Sequence, residues 1–378
     1  MNCQKSKFIL SNKISYLNCA YMSPMLKKVE KAGIAGIKQK RKPYQIVPND
    51  FFQNVTLTKK CFSSIIDCDN HERIAIIPAA SYGIANVVNN IKLNPGEEII
   101  LVDEQFPSNV YPWLAYANNK NINVVFVKRP NSLNGCGKKW NEKILKSINN
   151  KTKVVAIGHV HWADGTLFDL LSIRKKTKKV GALFIIDGTQ SIGALPFSIK
   201  KFKPDALICA GYKWLMGPYG IGLAYYGPYF DKGDPIEDNW INRKGSENFS
   251  GLVEYNNEYG VFSKKYNVGQ QSNFILIPML LEGLKQITRW GVNNIQDYCK
   301  NLIGEEIKKI DKKKYWVEEE SYRSNHLFGI VPVEKDNKLL KKFKEKKISI
   351  SIRGNKIRIS PNVYNSKSEI KKLFECLI

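Results

Sequence analysis

Two short apolar segments lead to residues that could carry covalent chemistry. Asp187 closes the run 182–187, and Lys213 follows the run 205–209 by four positions. Apolar, β-branched runs of this length are typical of strands in a covered parallel sheet, whose carboxyl ends form a ligand-binding edge. A lysine amine at that edge can condense with a carbonyl group, and a nearby carboxylate can hold a protonated ring nitrogen. For Asp187 by itself a strand-end turn or helix cap is the plain alternative, but that alternative does not account for Lys213.

This pairing of an amine and a carboxylate is what pyridoxal 5′-phosphate (PLP) requires of a protein. Lys213 would hold the cofactor as a Schiff base, and Asp187 would keep the pyridine nitrogen protonated so that the ring can accept electrons. We therefore expect PLP as the cofactor. The expected reaction transforms an amino acid that replaces Lys213 on the cofactor as an external aldimine.

The elements around these residues predict an α/β fold. Apolar runs alternate with amphipathic stretches, and the runs lie at 98–103, 122–127, 153–157, 182–187 and 205–209. This alternation predicts a doubly wound, mainly parallel sheet. After about residue 270, longer helical patterns and isolated strands indicate a smaller α+β domain. The predicted organisation is an N-terminal segment (1–20) packing with the small domain, a large PLP-binding domain (21–270) and a small C-terminal domain (271–378).

Five motifs along nearly the whole chain resemble those of the class V aminotransferase family of fold-type I PLP enzymes. They are YLNCAYMSP at 16–24, AASYGIAN at 79–86, DGTQ at 187–190, GYKWLMGP at 211–218 and RISPNVYN at 358–365. The family includes cysteine desulfurases, kynureninase-like hydrolases and an isopenicillin N epimerase. The resemblance implies the fold of a fold-type I PLP-dependent transferase.

The resemblance also implies roles for the residues that would hold the cofactor. Lys213 would be the Schiff-base lysine and then the base that moves the substrate Cα proton, and Asp187 would pair with the pyridinium nitrogen. Gln190 would hydrogen-bond the phenolic oxygen. Ala80 and Ser81 belong to the motif whose helix start would bind the phosphate.

Further cofactor contacts are expected from residues where the family pattern is looser. Tyr212 replaces the family's frequent histidine and could still donate to the phosphate. Phe106 aligns near the position that stacks on the pyridine ring, although a buried aromatic there could equally be core. Gln270 lies in the segment that in relatives reaches the partner subunit's phosphate, which implies a homodimer.

The sequence gives less information about the residues that would bind the substrate. Arg358 is the best candidate for binding the α-carboxylate, because a guanidinium fork suits a planar carboxylate, and Arg353 is the less favoured alternative. His161 and Trp162 stand where desulfurases carry a cofactor-contacting serine–asparagine pair, and this departure suggests a remodelled pocket. Strand-end packing is the plain alternative for both.

The reaction type stays open at this point. No cysteine lies between Cys299 and Cys376, so a desulfurase that carries sulfur on a mobile cysteine is disfavoured. An aminotransferase is the first choice, a β-elimination (C–S) lyase or a desulfurase-like enzyme without a persulfide cysteine the second, and an amino-acid epimerase the third. From a different class, the net charge of +25 would suit a basic nucleic-acid-binding protein without catalysis.

Composition limits these alternatives. The basic residues are spread along the chain without a nucleic-acid-binding signature, which argues against nucleic acid as a partner. Eight cysteines without a C-x-x-C pair and only four histidines indicate reduced thiols and no metal site. No apolar run reaches membrane-spanning length, and no signal-peptide pattern is visible. We therefore expect a cytoplasmic enzyme.

Overall fold

The computed structural model describes residues 1–118, 120–334 and 339–377. Its strands are β1 (Ser15–Tyr16), β2 (Ile74–Ile77), β3 (Glu98–Val102), β4 (Asn123–Val127), β5 (Thr152–Gly158), β6 (Leu183–Asp187), β7 (Ala206–Ala210), β8 (Gly222–Tyr226), β9 (Tyr315–Val317), β10 (Phe328–Pro332), β11 (Ile348–Ser349), β12 (Ser351–Arg353) and β13 (Lys356–Ile359). Its helices are α1 (Lys27–Gln39), α2 (Gln53–Ile65), α3 (Ala80–Asn89), α4 (Tyr111–Asn118), α5 (Cys136–Ser147), α6 (Leu170–Val180), α7 (Ile199–Phe202), α8 (Leu276–Trp290), α9 (Val292–Ile307), α10 (Leu339–Glu345) and α11 (Lys367–Phe374).

The central sheet has the strand order β2-β8-β7-β6-β5-β3-β4. Strands β3 to β7 run parallel, whereas β8 is antiparallel to both β2 and β7. Successive residues of β3 point to opposite faces, so that Ile100 and Val102 join one hydrophobic core while Ile99 and Leu101 join another. Helices cover both faces, which is why these strands are apolar throughout. The expected α/β fold is confirmed.

A second, antiparallel sheet lies in the C-terminal part, with the order β12-β13-β10-β9. Strand β1 pairs in parallel with β11, which ties the N-terminal segment to this part of the chain. Helix α8 packs against α1 and α2, and its buried face joins the core of the large sheet. The domain boundaries at 20 and 270 stay a prediction, and residues 335–338 and 378 of the predicted C-terminal domain lie outside the described residues.

Membrane-spanning segments were also sought in the helices. Across the three described ranges, every helix falls short of the length and apolar character that crossing a bilayer would require.

Candidate functional site

A cavity of about 230 Å³ opens where three parallel strands end. Gly158, Asp187 and Ala210, the last residues of β5, β6 and β7, all line it. This is the edge at which open α/β sheets bind ligands. The predicted site residues that line it are Ala80, Ser81, Phe106, His161, Trp162, Asp187, Gln190, Tyr212 and Lys213. Gln270 and Arg358 are not part of the lining.

Lys213 reaches the cavity from a tight turn after β7. The Lys213 carbonyl accepts a hydrogen bond from the Met216 N–H at 3.1 Å, and the side chain is buried. Its Nζ lies 5.3 Å from the centre of the Phe106 ring and 5.4 Å from that of Tyr212. Aromatic faces therefore surround the amine and hold it inside the cavity.

Burial changes the acid–base behaviour of this amine. It lowers the pKa of Lys213 to about 8, and the positive charge of Arg358 acts in the same direction, while Asp187 opposes both. A buried ammonium loses hydration that a neutral amine does not need. Near neutral pH Lys213 therefore has a much larger neutral, nucleophilic fraction than an exposed lysine.

Two neighbouring residues supply a carboxylate and an amide. Asp187 Oδ1 accepts the Thr189 N–H at 2.9 Å, which fixes the carboxylate at the strand end. Trp214 Nε1 donates to Gln190 Oε1 at 2.9 Å, and Gln190 Nε2 donates to the Ala20 carbonyl at 3.1 Å. Because an indole nitrogen only donates, the Gln190 amide has one orientation, with a second Nε2 proton left for a ligand.

A histidine from outside the predicted site supports Gln190 from behind. His326 Nδ1 lies 2.8 Å from the amide nitrogen of Gln296, which is a donor, so His326 carries its proton on Nε2. That Nε2–H donates to the backbone carbonyl of Gln190 at 2.7 Å. Burial lowers the pKa of His326 to about 4, so this histidine is neutral. Sequence reasoning missed both His326 and Trp214; only the position of Trp214 beside Lys213 could have drawn attention to it.

The amino end of α3 contributes an anion site. Ala79 is its N-cap residue and cannot provide a side-chain cap, while Ala79, Ala80 and Ser81 line the cavity. The first N–H groups of an uncapped helix and its positive dipole end favour a phosphate. Gln270, by contrast, is exposed and lies outside the cavity of its own chain.

These groups fit PLP. A buried amine, a strand-end carboxylate, an oriented amide and a helix amino terminus all face one cavity, which matches the aldehyde, ring nitrogen, phenolic oxygen and phosphate of that cofactor. When bound, PLP would supply an aldehyde for Lys213 and an electron-accepting ring for reactions at the substrate Cα.

Arg358 lies directly behind the cavity wall. Its Nη1 donates to the Trp162 carbonyl at 3.0 Å, and Nη2 lies 3.4 Å from Ser351 Oγ. Its Nε is buried without a hydrogen-bond partner, and no carboxylate among the described residues forms an ion pair with it. Burial lowers the pKa of Arg358 to about 9, and the nearby Arg353 acts in the same direction. An uncompensated guanidinium in this position has the chemistry required to bind a carboxylate.

Trp162 connects the arginines to the cavity. Its ring centre lies 5.4 Å from Arg353 Cζ and 6.0 Å from Arg358 Cζ, and it makes an edge contact with Phe106 at 5.3 Å. Its Nε1 donates to the Glu104 carbonyl at 2.7 Å. The indole is therefore the cavity-lining side chain between the predicted cofactor contact Phe106 and the two guanidinium groups.

His161 lies in the cavity wall, and its contacts could not be predicted from the sequence. It is 2% exposed, and its Nδ1 is 3.2 Å from Asp164 Oδ1. Arg129 forms an ion pair with the same aspartate. The short H-x-x-D spacing was the available signal for Asp164, whereas Arg129 comes from a distant segment.

The described residues place neither a thiol nor a cluster of metal ligands at the cavity. No cysteine lines the cavity there, and Cys299 and Cys376 are both buried elsewhere. The same residues contain no group of three or more potential ligands that could hold a metal ion.

Comparisons with known proteins show which family this chain belongs to. The family model "Aminotransferase class-V" matches residues 45–373. An uncharacterized aminotransferase, YcbU, of Bacillus subtilis is 23% identical over 82% of this chain and 79% of its own length. A probable cysteine desulfurase of Borreliella burgdorferi is 27% identical over 68% of this chain, but the match covers only 60% of that protein.

A solved structure shares the fold of this chain. The cystine C-S lyase C-DES, solved with its reaction product cysteine persulfide, superposes with a TM-score of 0.83 at 17% identity, covering 97% of each chain. The family match favours an enzyme over a nucleic-acid-binding protein without catalysis. The chain belongs to the aminotransferase class-V family and is a PLP-dependent enzyme.

Proposed function

We propose that this enzyme is an aminotransferase that binds PLP covalently through Lys213 and acts on an α-amino acid. The observation that carries the proposal is that Lys213, Asp187 and the amino end of α3 line one cavity. The relative with the longest match along this chain among those described, YcbU, is named as an aminotransferase.

Each residue has a defined task in this proposal. The Lys213 amine, freed when the substrate takes its place, removes the Cα proton and can return a proton at a neighbouring atom. Asp187 keeps the ring nitrogen protonated, and the spare Gln190 N–H donates to the phenolic oxygen. Arg358 binds the α-carboxylate, which orients the Cα–H bond towards Lys213.

A panel of amino acids tests this proposal. Transamination converts the cofactor to its amine form, which only a 2-oxo acid restores, and this change is followed by absorbance. The variant Lys213→Met should lose the activity. Lys59→Met is a matched control, because burial also lowers the pKa of Lys59 to about 8 but Lys59 lies away from the cavity. Equal activity in wild type and Lys213→Met would refute the proposal.

The second candidate is a β-elimination lyase that cleaves a C–S bond. The observation that favours it is that His161 lines the cavity and has a buried Nε2 without a hydrogen-bond partner. A lyase releases a 2-oxo acid and ammonium without any added amino acceptor, so the same panel distinguishes the two reactions. A desulfurase that transfers sulfur to its own cysteine lacks support, since no cysteine of the described residues lines the cavity.

We further propose a cytoplasmic homodimer. Large apolar side chains are exposed on α1, at Ile34 and Ile37, and elsewhere on the surface, at Tyr44, Val253 and Tyr255. Such exposure is typical of a surface that another chain covers. All eight cysteines are free thiols, which is compatible with a reducing compartment.

Mixing two inactive variants tests whether the sites are shared. If Gln270 acts in the partner's site, Lys213→Ala chains mixed with Gln270→Ala chains form heterodimers with one intact site, and activity returns. If Gln270 acts in its own chain or the protein is a monomer, mixing restores nothing.

A further inference from the structure

A buried cluster of polar groups positions the imidazole of His161. Asp164, 1% exposed, accepts three hydrogen bonds on Oδ1: from His161 Nδ1 at 3.2 Å, the Thr166 N–H at 3.1 Å and Thr166 Oγ1 at 2.9 Å. Arg129 binds the other carboxylate oxygen. Both carboxylate oxygens of this aspartate therefore have hydrogen-bond partners.

The cluster fixes which nitrogen of His161 carries a proton. Burial opposes ionisation of Asp164, but the nearby His161 and Arg129 outweigh it and hold the pKa of this carboxyl well below its usual range. An ionised carboxylate only accepts, so the His161 Nδ1 beside it carries the proton. Arg129 Nη2 lies 3.4 Å from the same nitrogen, a weaker contact than its ion pair with Asp164.

The other ring nitrogen, Nε2, is buried and has no hydrogen-bond partner. The ring packs 5.0 Å from Trp140 and lines the cavity. A buried polar atom without a partner costs about 1–3 kcal/mol. The arrangement is that of an acid–base residue held ready for a ligand.

The backbone holds this geometry in place. His161 N–H donates to the Thr166 carbonyl, and Gly165 N–H donates to the His161 carbonyl, each at 2.8 Å. Gly165 has a φ of +78°, and a Cβ there would lie 2.0 Å from the Leu327 carbonyl oxygen. The turn thus requires glycine beside Asp164, and it holds the aspartate within hydrogen-bonding distance of the imidazole.

We propose that His161 is a second acid–base residue of the cavity, which protonates the atom that leaves Cβ and so gives the enzyme a β-elimination activity beside transamination. This inference rests on the proposed function, because it requires the cofactor on Lys213. Asp164 and Arg129 act through His161 and are positioning residues.

The proposed step balances without an oxidant or reductant. His161 Nε2 first accepts the proton that the substrate ammonium loses when its amine takes the place of Lys213. Lys213 then accepts the Cα proton, the Cβ–X bond breaks with its electron pair going to X, and His161 gives the Nε2 proton to X. This returns His161 to the form with a proton on Nδ1 alone. Overall, the substrate and one water become HX, ammonium and a 2-oxo acid.

A leaving-group comparison tests the proposal. An S-alkylcysteine releases a thiolate that needs a proton, whereas β-chloroalanine releases chloride, which needs none. For His161→Gln we expect kcat/KM to fall about 10²–10³-fold with the S-alkylcysteine, and no more than about threefold with β-chloroalanine. The control variant His71→Gln changes a histidine outside the cavity and should behave as wild type with both substrates.

The alternative outcomes are distinguishable. Equal losses with both substrates, or no loss with either, overturn the role of His161. Wild-type protein that attaches PLP to Lys213 but eliminates neither substrate also overturns it, while leaving the transamination proposal standing. Failure of PLP to attach to Lys213 refutes the proposed function itself.

Histidine ¹⁵N NMR of the cofactor-free protein gives an independent readout. The chain has four histidines, and the signal lost in His161→Gln assigns this one. We expect the proton on Nδ1 at neutral pH and a loss of this preference in Asp164→Asn. A proton fixed on Nε2 with a bare Nδ1 in wild type would contradict the proposal.

Discussion

Replacing Arg358 by methionine should make the protein more stable and a poorer ligand binder at the same time. Arg358 is 1% exposed, and burial together with Arg353 lowers the pKa of its guanidinium from its ordinary, much higher value to about 9. At about 1.36 kcal/mol for each pKa unit, this difference corresponds to roughly 5 kcal/mol against the charged form. Methionine removes that cost and keeps most of the apolar contact with Trp162.

The substitution also removes favourable contacts. The Trp162 carbonyl loses its hydrogen bond from Arg358, which costs about 1–3 kcal/mol, whereas Ser351 keeps a second partner in Asn18. The expected net result is an increase of about 2–4 kcal/mol in the free energy of unfolding. Replacing buried charges by apolar groups is often stabilising for this reason.

Urea denaturation and ligand titration check both halves of this prediction. Binding of an amino-acid carboxylate to the PLP-loaded protein should weaken about 10–150-fold, equivalent to about 1.5–3 kcal/mol. As a control, Arg73→Met should lower stability, because Arg73 is paired with Asp231 at 2.8 Å. A loss of stability in Arg358→Met with unchanged ligand affinity would show that the arginine is structural, and would refute the reasoning.

Three further outcomes are expected. Gly165→Ala should lower the free energy of unfolding by about 3 kcal/mol, because its Cβ would clash with the Leu327 carbonyl at a residue with a positive φ. Thermal denaturation measures this change. Gly304→Ala is the control, because a Cβ at Gly304 would meet no atom within 4 Å. Trp214→Phe should raise the PLP dissociation constant about tenfold, because the Gln190 amide loses the donor that orients it; an unchanged constant in a fluorescence titration would contradict this. Reductive methylation of Lys213 in the cofactor-free protein should speed up with rising pH and level off just above pH 8, because burial lowers the pKa of this amine to about 8; a rate that keeps rising to pH 10 would show an ordinary, hydrated amine.

Much of the large sheet was predictable because its strands are buried on both faces. The runs at 98–103 and 182–187 match β3 and β6 within a residue. Strand β8 was not predicted, since GLAYY follows the lysine turn without a helix and the βα alternation gives no signal for an antiparallel insertion. The alternation of strands and helices predicts parallel strands, so a strand that does not follow this alternation is not predicted.

The residues of the site were likewise predictable only in part. Lys213 and Asp187 could be placed together because both follow buried strands that are neighbours in a parallel sheet. The supports of these residues could not be predicted. Arg129 reaches Asp164, and His326 reaches Gln190, only through tertiary contacts between segments far apart in sequence. Arg358 carries a family motif, yet its position behind Trp162 depends on how the small sheet meets the large one.

The most direct test of the role of Lys213 is to load the protein with PLP, reduce it with borohydride and locate the modified lysine by peptide mass spectrometry. We expect a stable pyridoxyl group on Lys213 and none on Lys59, whose side chain is similarly buried but remote from the cavity. Attachment to another lysine, or no attachment at all, would contradict it.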